Sequence, residues 1–411
     1  MPNHLRLAGG LTSSVVVVPK DPAQTTLRRL TVIVALQWMG ATLGLPLLPL
    51  FLEHRGGTPS VVGVVVASFF VAGVATQFAF GHVADRFGRR KLLIISLVVY
   101  GLASMTYLFP LAAQWFVATR VFQGAAAGAI EVASLSAVSS LFPEAQRGRA
   151  ISQIFAAQLF GLAIGPVVGA LASVRDLGWA FFATGLVSLA AAVVATRTPL
   201  GDLAYDPTPL PRMQWNTQLV GTLFAASASG LCIGVYEACW SLLMHAHHAS
   251  SLQIRLSWTF FGLPWLVLFR WGGWLADHAN RRFVALAGLL NGAIFLSLYP
   301  HIHNNDLILV LGSCESVGAS LSLPAISSLM SQGAADRELS RRQGLFTTSN
   351  TASLALAAGA SGFLFTLNSA LPFTVIAVVS TGLGLSTLYW WRHVVGHVAP
   401  APLLAPRASG T

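Results

Sequence analysis

The sequence predicts an all-α membrane protein, with twelve transmembrane helices in two pseudo-symmetric six-helix bundles. Three observations carry that prediction. Of 411 residues, 55% are hydrophobic and only 9% charged, whereas a soluble domain carries about 25% charged residues. Such a chain cannot cover a water-facing surface, so the bilayer is the solvent for most of it. The apolar residues fall into runs close to the roughly 20 needed to cross about 30 Å of hydrocarbon. A charged turn, Gly81-His82-Val83-Ala84-Asp85-Arg86-Phe87-Gly88-Arg89-Arg90-Lys91, recurs 192 residues later as Gly273-Trp274-Leu275-Ala276-Asp277-His278-Ala279-Asn280-Arg281-Arg282. A repeat of about half the chain, set at one membrane face, indicates a duplicated bundle.

The runs fall at about 30–52, 60–81, 91–110, 113–141, 149–173 and 178–196, then 217–245, 252–274, 283–300, 306–333, 342–367 and 370–391. This divides the chain into a cytosolic N-terminal tail (1–27), a first bundle (28–196), a polar cytosolic linker (197–216), a second bundle (217–395) and a C-terminal tail (396–411). Val15 to Val18 is too brief an apolar run for a cleavable signal, and Pro19-Lys20-Asp21-Pro22 follows it. A second echo supports the duplication. Glu144-Ala145-Gln146-Arg147 after the fourth span matches Glu338-Leu339-Ser340-Arg341 after the tenth, at an offset of 194.

With both termini in the cytosol, nineteen of the 24 Lys and Arg residues fall on inner segments. The outer loops then hold Arg55, Arg175 and Arg255, and the spans hold Arg120 and Arg270. That asymmetry sets the topology by the positive-inside rule. It also explains the net charge of +10 without a nucleic-acid partner. Cys232, Cys239 and Cys314 lie in apolar runs with no metal or disulfide spacing. His245, His247, His248, His301 and His303 cluster at outer span ends, where interfacial placement is favoured over a metal site. Arg270, one turn from the inner end of the eighth span, reads as a snorkelling side chain.

In the first charged turn Gly88 permits a tight reversal, and the arginines hold the loop at anionic headgroups. Asp85 can pair with an arginine or meet a helix N-terminus of the other half. The bland alternative is a charged topological stop. The turn resembles the signature of the major facilitator superfamily of secondary transporters. The resemblance implies a conformational latch built from Gly81, Asp85, Arg86, Gly88, Arg89 and Arg90. It implies a weaker one from Gly273, Asp277, Arg281 and Arg282, because His278 and Asn280 replace Arg86 and Gly88 there.

On the fourth span an arginine at position 120 costs roughly 2.5–3.5 kcal/mol unless it meets a partner or water. Arg120, Gly124 and Glu131 lie on one stripe, since eleven helical steps return to within about 20° of the start. Arg120-Val121-Phe122-Gln123-Gly124 resembles the superfamily motif associated with proton coupling; a snorkelling arginine is the alternative. The fifth span carries Gly161, Gly165, Pro166 and Gly169. Glycines four apart suit close helix packing and the proline allows a bend. The arrangement is similar to that of drug:proton antiporters, apart from Ala170 where a glycine is usual.

Glu237 and Glu315 add carboxylates to the seventh and tenth spans. The resemblance implies a central cavity lined by spans 1, 4, 7 and 10. Arg120, Glu131, Glu237 and Glu315 are therefore proton-coupling candidates, with Gln37, Trp38, Gln123, Tyr236 and Trp240 as cavity wall. A carboxylate simply hydrogen-bonded between helices is the alternative for each. No phosphate-cradling loop, zinc spacing or nucleophile elbow is found, so neither an enzyme nor an ATP-driven pump is expected, and no cofactor or metal. The expectation is a monomeric exporter in the cytoplasmic membrane, driven by the proton gradient and moving a small amphipathic or cationic molecule. An uptake symporter for a sugar, amino acid or organic anion stays open, as does a membrane sensor or membrane-embedded enzyme on the same scaffold.

Overall fold

The computed structural model describes residues 22–142, 144–169, 177–200, 215–332 and 336–394, without the side chains of 78–87, 139, 144–145, 147–148, 266, 269, 336–337 and 339–340. The C-terminal tail, most of the linker and residues 1–21 of the N-terminal tail therefore lie outside the described residues, and residues 22–27, read as tail, belong to the first helix. Among these residues the structure is entirely helical. The first half contains α1 (Pro22–Thr42), α2 (Leu48–His54), α3 (Pro59–Phe87), α4 (Arg89–Met105), α5 (Phe116–Leu141), α6 (Glu144–Val168) and α7 (Leu177–Thr196). The second contains α8 (Thr217–Ala246), α9 (Ser251–His278), α10 (Arg281–Leu298), α11 (Asn305–Ser331), α12 (Asp336–Leu367) and α13 (Leu371–Trp390). Among the described residues eleven spans are long and apolar enough to cross a membrane, and α9 makes a twelfth when its two limbs, bent by 49°, count as one.

Two spans depart from the simple runs read in the sequence. The first is broken into α1, a 3-10 turn at Leu45–Leu47, and α2. Pro46 and Pro49 supply the break, because each lacks the N–H that a continuous helix needs. Arg255 is a correction to the charge map: it lies inside α9, 1% exposed, not in a loop. The reason is a capping box at Ser250 and Gln253, which starts the helix ahead of it.

The packing obeys the internal repeat. In the first half α1 packs on α6, α3 on α5 and α4 on α7. In the second the equivalent pairs are α8 with α12, α9 with α11 and α10 with α13. Across the halves α3 meets α12 and α6 meets α9.

Close approach depends on glycine. A Cβ on Gly161 would stand 2.6 Å from Met39 N, and one on Gly165 would stand 2.7 Å from Met39 O. A Cβ on Gly169 would strike Leu43 O. These glycines of the fifth-span motif thus form one face against α1, and Thr42 Oγ1 donates to Gly161 O at 3.2 Å across it. Between the halves, a Cβ on Gly63 would lie 2.7 Å from Ala358 O and 2.9 Å from Gly362 Cα.

The apolar cores show where the halves join. One core draws residues from both halves, including Phe51, Val62, Tyr107, Val235, Leu243 and Ala358. It sits at the end of the molecule that carries His54 and His247, called here the far end. At the opposite, basic end each half has its own core, around Leu30 and Leu93 in the first and Ala285 and Leu329 in the second. The molecule is therefore sealed at the far end, and its cores part toward the basic end.

Gly165→Leu should lower stability by about 1–3 kcal/mol, the usual cost of overpacking. Gly273→Leu should leave stability unchanged, because no atom lies within 4 Å of a Cβ there. Thermal unfolding of both purified variants in detergent checks the contrast.

Candidate functional site

The stripe on α5 faces α3. The Arg120 side chain is 3% exposed and its guanidinium lies 4.2 Å from the centre of the Phe69 ring. Its Nη1 donates to Gln123 Oε1 at 3.3 Å, and Gln123 Nε2 donates to Ser104 Oγ on α4 at 2.9 Å. Gly124 admits the α3 backbone at Phe69. Glu131 Oε2 accepts from Gln77 Nε2 at 3.0 Å. Glu131 thus has a hydrogen-bond partner on α3, within its own bundle.

The structure places the three expected wall residues of the first half as follows. Gln37 is 5% exposed, and its Oε1 accepts from Ser188 Oγ on α7 at 2.8 Å. Gln123 is 1% exposed and committed to Arg120 and Ser104. Both amides need partners once buried, and the partners lie inside the first bundle. Trp38 stands beside Gly161 on the α1–α6 seam and keeps 38% of its surface exposed.

In the second half, a cavity of about 360 Å³ is enclosed by α8, α9, α10, α11 and α12. It lies within this bundle, whereas the sequence reading expects a cavity between the two. Gly288 and Gly292 of α10 both line it; a Cβ on Gly288 would strike the Ser322 hydroxyl, and one on Gly292 would lie 4.0 Å from Glu315 Oε1. Tyr236, Trp240 and Glu315 line it.

Glu315 is 4% exposed. Tyr236 Oη donates to its Oε1 at 2.9 Å and Tyr299 Oη donates to its Oε2 at 2.7 Å. Among the described residues no cation pairs with it. Trp240 packs edge-on to Tyr299 at 4.9 Å, and its Nε1 donates to Ser257 Oγ at 2.8 Å. Trp258, Phe261, Trp265 and Phe346 complete an aromatic wall. Rings present negative faces to a cation, and the Glu315 carboxyl faces the same cavity.

Tyr299, Trp258, Phe261 and Trp265 are absent from the sequence reading. Tyr299 sits at a helix end beside Pro300, with no periodicity that aims it at Glu315 16 residues away. The Gly288 and Gly292 pair, four apart like the fifth-span glycines, is the available signal.

Glu237 is partly buried on α8, and its Oε2 has no hydrogen-bond partner among the described residues. Of the turn residues, the side chains of Gly81, Asp85 and Arg86 lie outside the described residues. Gly88 has φ +87° and caps α4, so the glycine is required there. Its counterpart Asn280 has φ −71° and caps α10 by accepting from Arg282 N at 3.2 Å. Arg89 is partly buried and Arg90 exposed. Arg281 donates to Ala276 O at 2.8 Å and approaches Asp277 at 3.4 Å. Arg282 Nη1 donates to Trp391 O at 3.0 Å and Arg392 O at 3.2 Å, the carbonyl end of α13.

At the far end the rings of His247 and His303 stack at 4.8 Å. Burial and the neighbouring His303 hold the His247 imidazole below its ordinary range. Arg270 is exposed on α9.

Sequence comparison gives this architecture a family. The Major Facilitator Superfamily profile matches residues 30–232 and again 219–409. A chloramphenicol resistance protein of Pseudomonas aeruginosa is 29% identical, over 63% of this chain and 65% of its own length. The quinolone resistance protein NorA of Staphylococcus aureus is 21% identical over 73% of this chain and 80% of its own. In fold, a bacterial homolog of the human lysosomal transporter Spinster, solved inward-facing and occupied, aligns with TM-score 0.73 and 12% identity. That alignment covers 93% of this chain and all of the other. With two matches that span both bundles, this multi-pass membrane protein belongs to the Major Facilitator Superfamily of transporters.

Proposed function

We propose that the protein is a proton-coupled exporter of a small aromatic cation or amphipathic molecule, working as a monomer in the cytoplasmic membrane. The observation that carries this reading is Glu315, a buried carboxyl held by two tyrosine hydroxyls in an aromatic cavity, with no countercharge bonded to it among the described residues. Two O–H donors hold the carboxylate in place but leave its charge uncancelled. A proton or a cationic substrate can cancel it, and the two compete for one site. That competition is the chemistry of antiport.

Export is supported by the glycine face of α6, which has the form found in drug:proton antiporters, and by the resistance proteins of similar sequence. With the basic end in the cytosol by the positive-inside rule, both termini are cytosolic and the sealed far end faces outward. Alternating access then rocks the halves about the α3–α12 and α6–α9 seams. Within this reading the first charged turn acts as a latch at the basic end. Arg120, stacked on Phe69, keeps a permanent positive charge in the first half.

Two outcomes follow. In proteoliposomes with ethidium as the aromatic cation, Glu315→Gln should abolish ethidium-induced proton release while the protein keeps its unfolding temperature; unchanged release would refute the role of Glu315. Arg120→Gln should reduce ethidium transport well below the parent rate, because it removes the buried guanidinium stacked on Phe69. Arg270→Gln, on an exposed site, should stay near the parent rate in the same assay.

A further inference from the structure

The cavity of the second half has a polar pole besides Glu315. Asn350 of α12 lines the same cavity, and its Nδ2 donates to Ala226 O on α8 at 2.9 Å. A carbonyl only accepts, so the amide turns its N–H groups to α8 and keeps its oxygen for another donor. Among the described residues nothing donates to Asn350 Oδ1. The backbone beside it is fixed. A Cβ on Gly230 would strike the Asn350 carbonyl, and the neighbouring Ser349 pairs with Ser227 of α8 at 2.9 Å.

Most other polar side chains on this wall are matched within the protein. Tyr236 and Tyr299 donate to Glu315, and Trp240 donates to Ser257. Ser322 donates to Ala319 O in its own helix, and Cys232 Sγ donates to Ser380 Oγ at 3.4 Å. The principal acceptors left for a ligand are the Glu315 oxygens and Asn350 Oδ1. They stand toward opposite ends of an elongated space, whose lining on α8 runs from Ala228 to Trp240. Ala226, which holds Asn350, and Tyr236, which holds Glu315, lie roughly 15 Å apart along the α8 axis, at about 1.5 Å per residue. Ile233 of α8 falls between them, and Phe261 and Trp265 add aromatic wall.

We infer that Asn350 is a specificity-determining residue of this cavity, and that the preferred ligand is a two-ended rod: a cation at Glu315, an aromatic or apolar middle, and a neutral hydrogen-bond donor at Asn350. The cationic end rests on the reading of Glu315 given above; the donor end rests on Asn350 alone. An acceptor inside an apolar cavity favours a ligand that brings a donor over one that does not, because the mismatch leaves the acceptor desolvated and unpaired. The span between the poles suits two rings with a polar group at each end, shortened by the reach of the two side chains.

Three probes of one shape test this by titration calorimetry on the purified full-length protein in nanodiscs: para-(aminomethyl)biphenyl, its para′-hydroxy analogue, and the ortho′-hydroxy isomer. The para′-hydroxy compound should bind the parent about fivefold more tightly than the plain amine, the gain of one neutral hydrogen bond. The ortho′ isomer should show no such gain. Asn350→Leu should bring the ratio between the para′-hydroxy compound and the plain amine close to one. Where that variant fails to fold, the para′ against ortho′ comparison on the parent decides. A parent that binds none of the three, that shows no para′ advantage, or whose advantage survives Asn350→Leu would overturn the inference. Glu315→Gln separates the two readings: it should weaken the plain and para′-hydroxy amines alike and keep their ratio. Unchanged binding of both would sink the role of Glu315 while leaving the Asn350 ratio to stand or fall by itself.

Discussion

Close backbone contact at glycine is the constraint from which this structure follows. In a bilayer, lipid tails are as apolar as the helices, so no hydrophobic drive gathers helices together. What remains is van der Waals packing at short range, and that needs small residues at the crossings. Gly63 against Gly362 joins the halves, and Gly161, Gly165 and Gly169 join α1 to α6. The remaining design follows from these contacts: five helices of the second half can spread around a cavity because other pairs are fixed elsewhere.

The charges are arranged differently in the two halves. The first half buries a cation, Arg120, over an aromatic ring and gives its carboxylate at Glu131 an amide partner. The second half buries the Glu315 carboxyl among hydroxyls and rings. Duplication supplied the same helix pairs to each half, while the buried polar groups of the two halves differ.

Much of the fold was legible because its signals are local. Span lengths, the charged turns and the glycine spacing of α6 each depend on a short stretch of chain. The break in the first span was also present, as Pro46 and Pro49, but an apolar run masks it. The site was harder to read. Arg120, Glu131, Glu237 and Glu315 could be found by the cost of charge in lipid. Their partners could not, because Gln77, Tyr236 and Tyr299 are brought to them by helix rotation and packing. Gln37 shows the same limit from the other side: its polarity was visible, but the Ser188 hydroxyl that claims it was not.

Arg282 has a consequence for the whole machine. By gripping the last carbonyls of α13 it turns a loop arginine into a rivet within one bundle. A side chain spent in that way is withdrawn from any clasp between bundles. Under the latch proposed above, the first charged turn would serve between the bundles, while Arg282 ties the second turn into one of them.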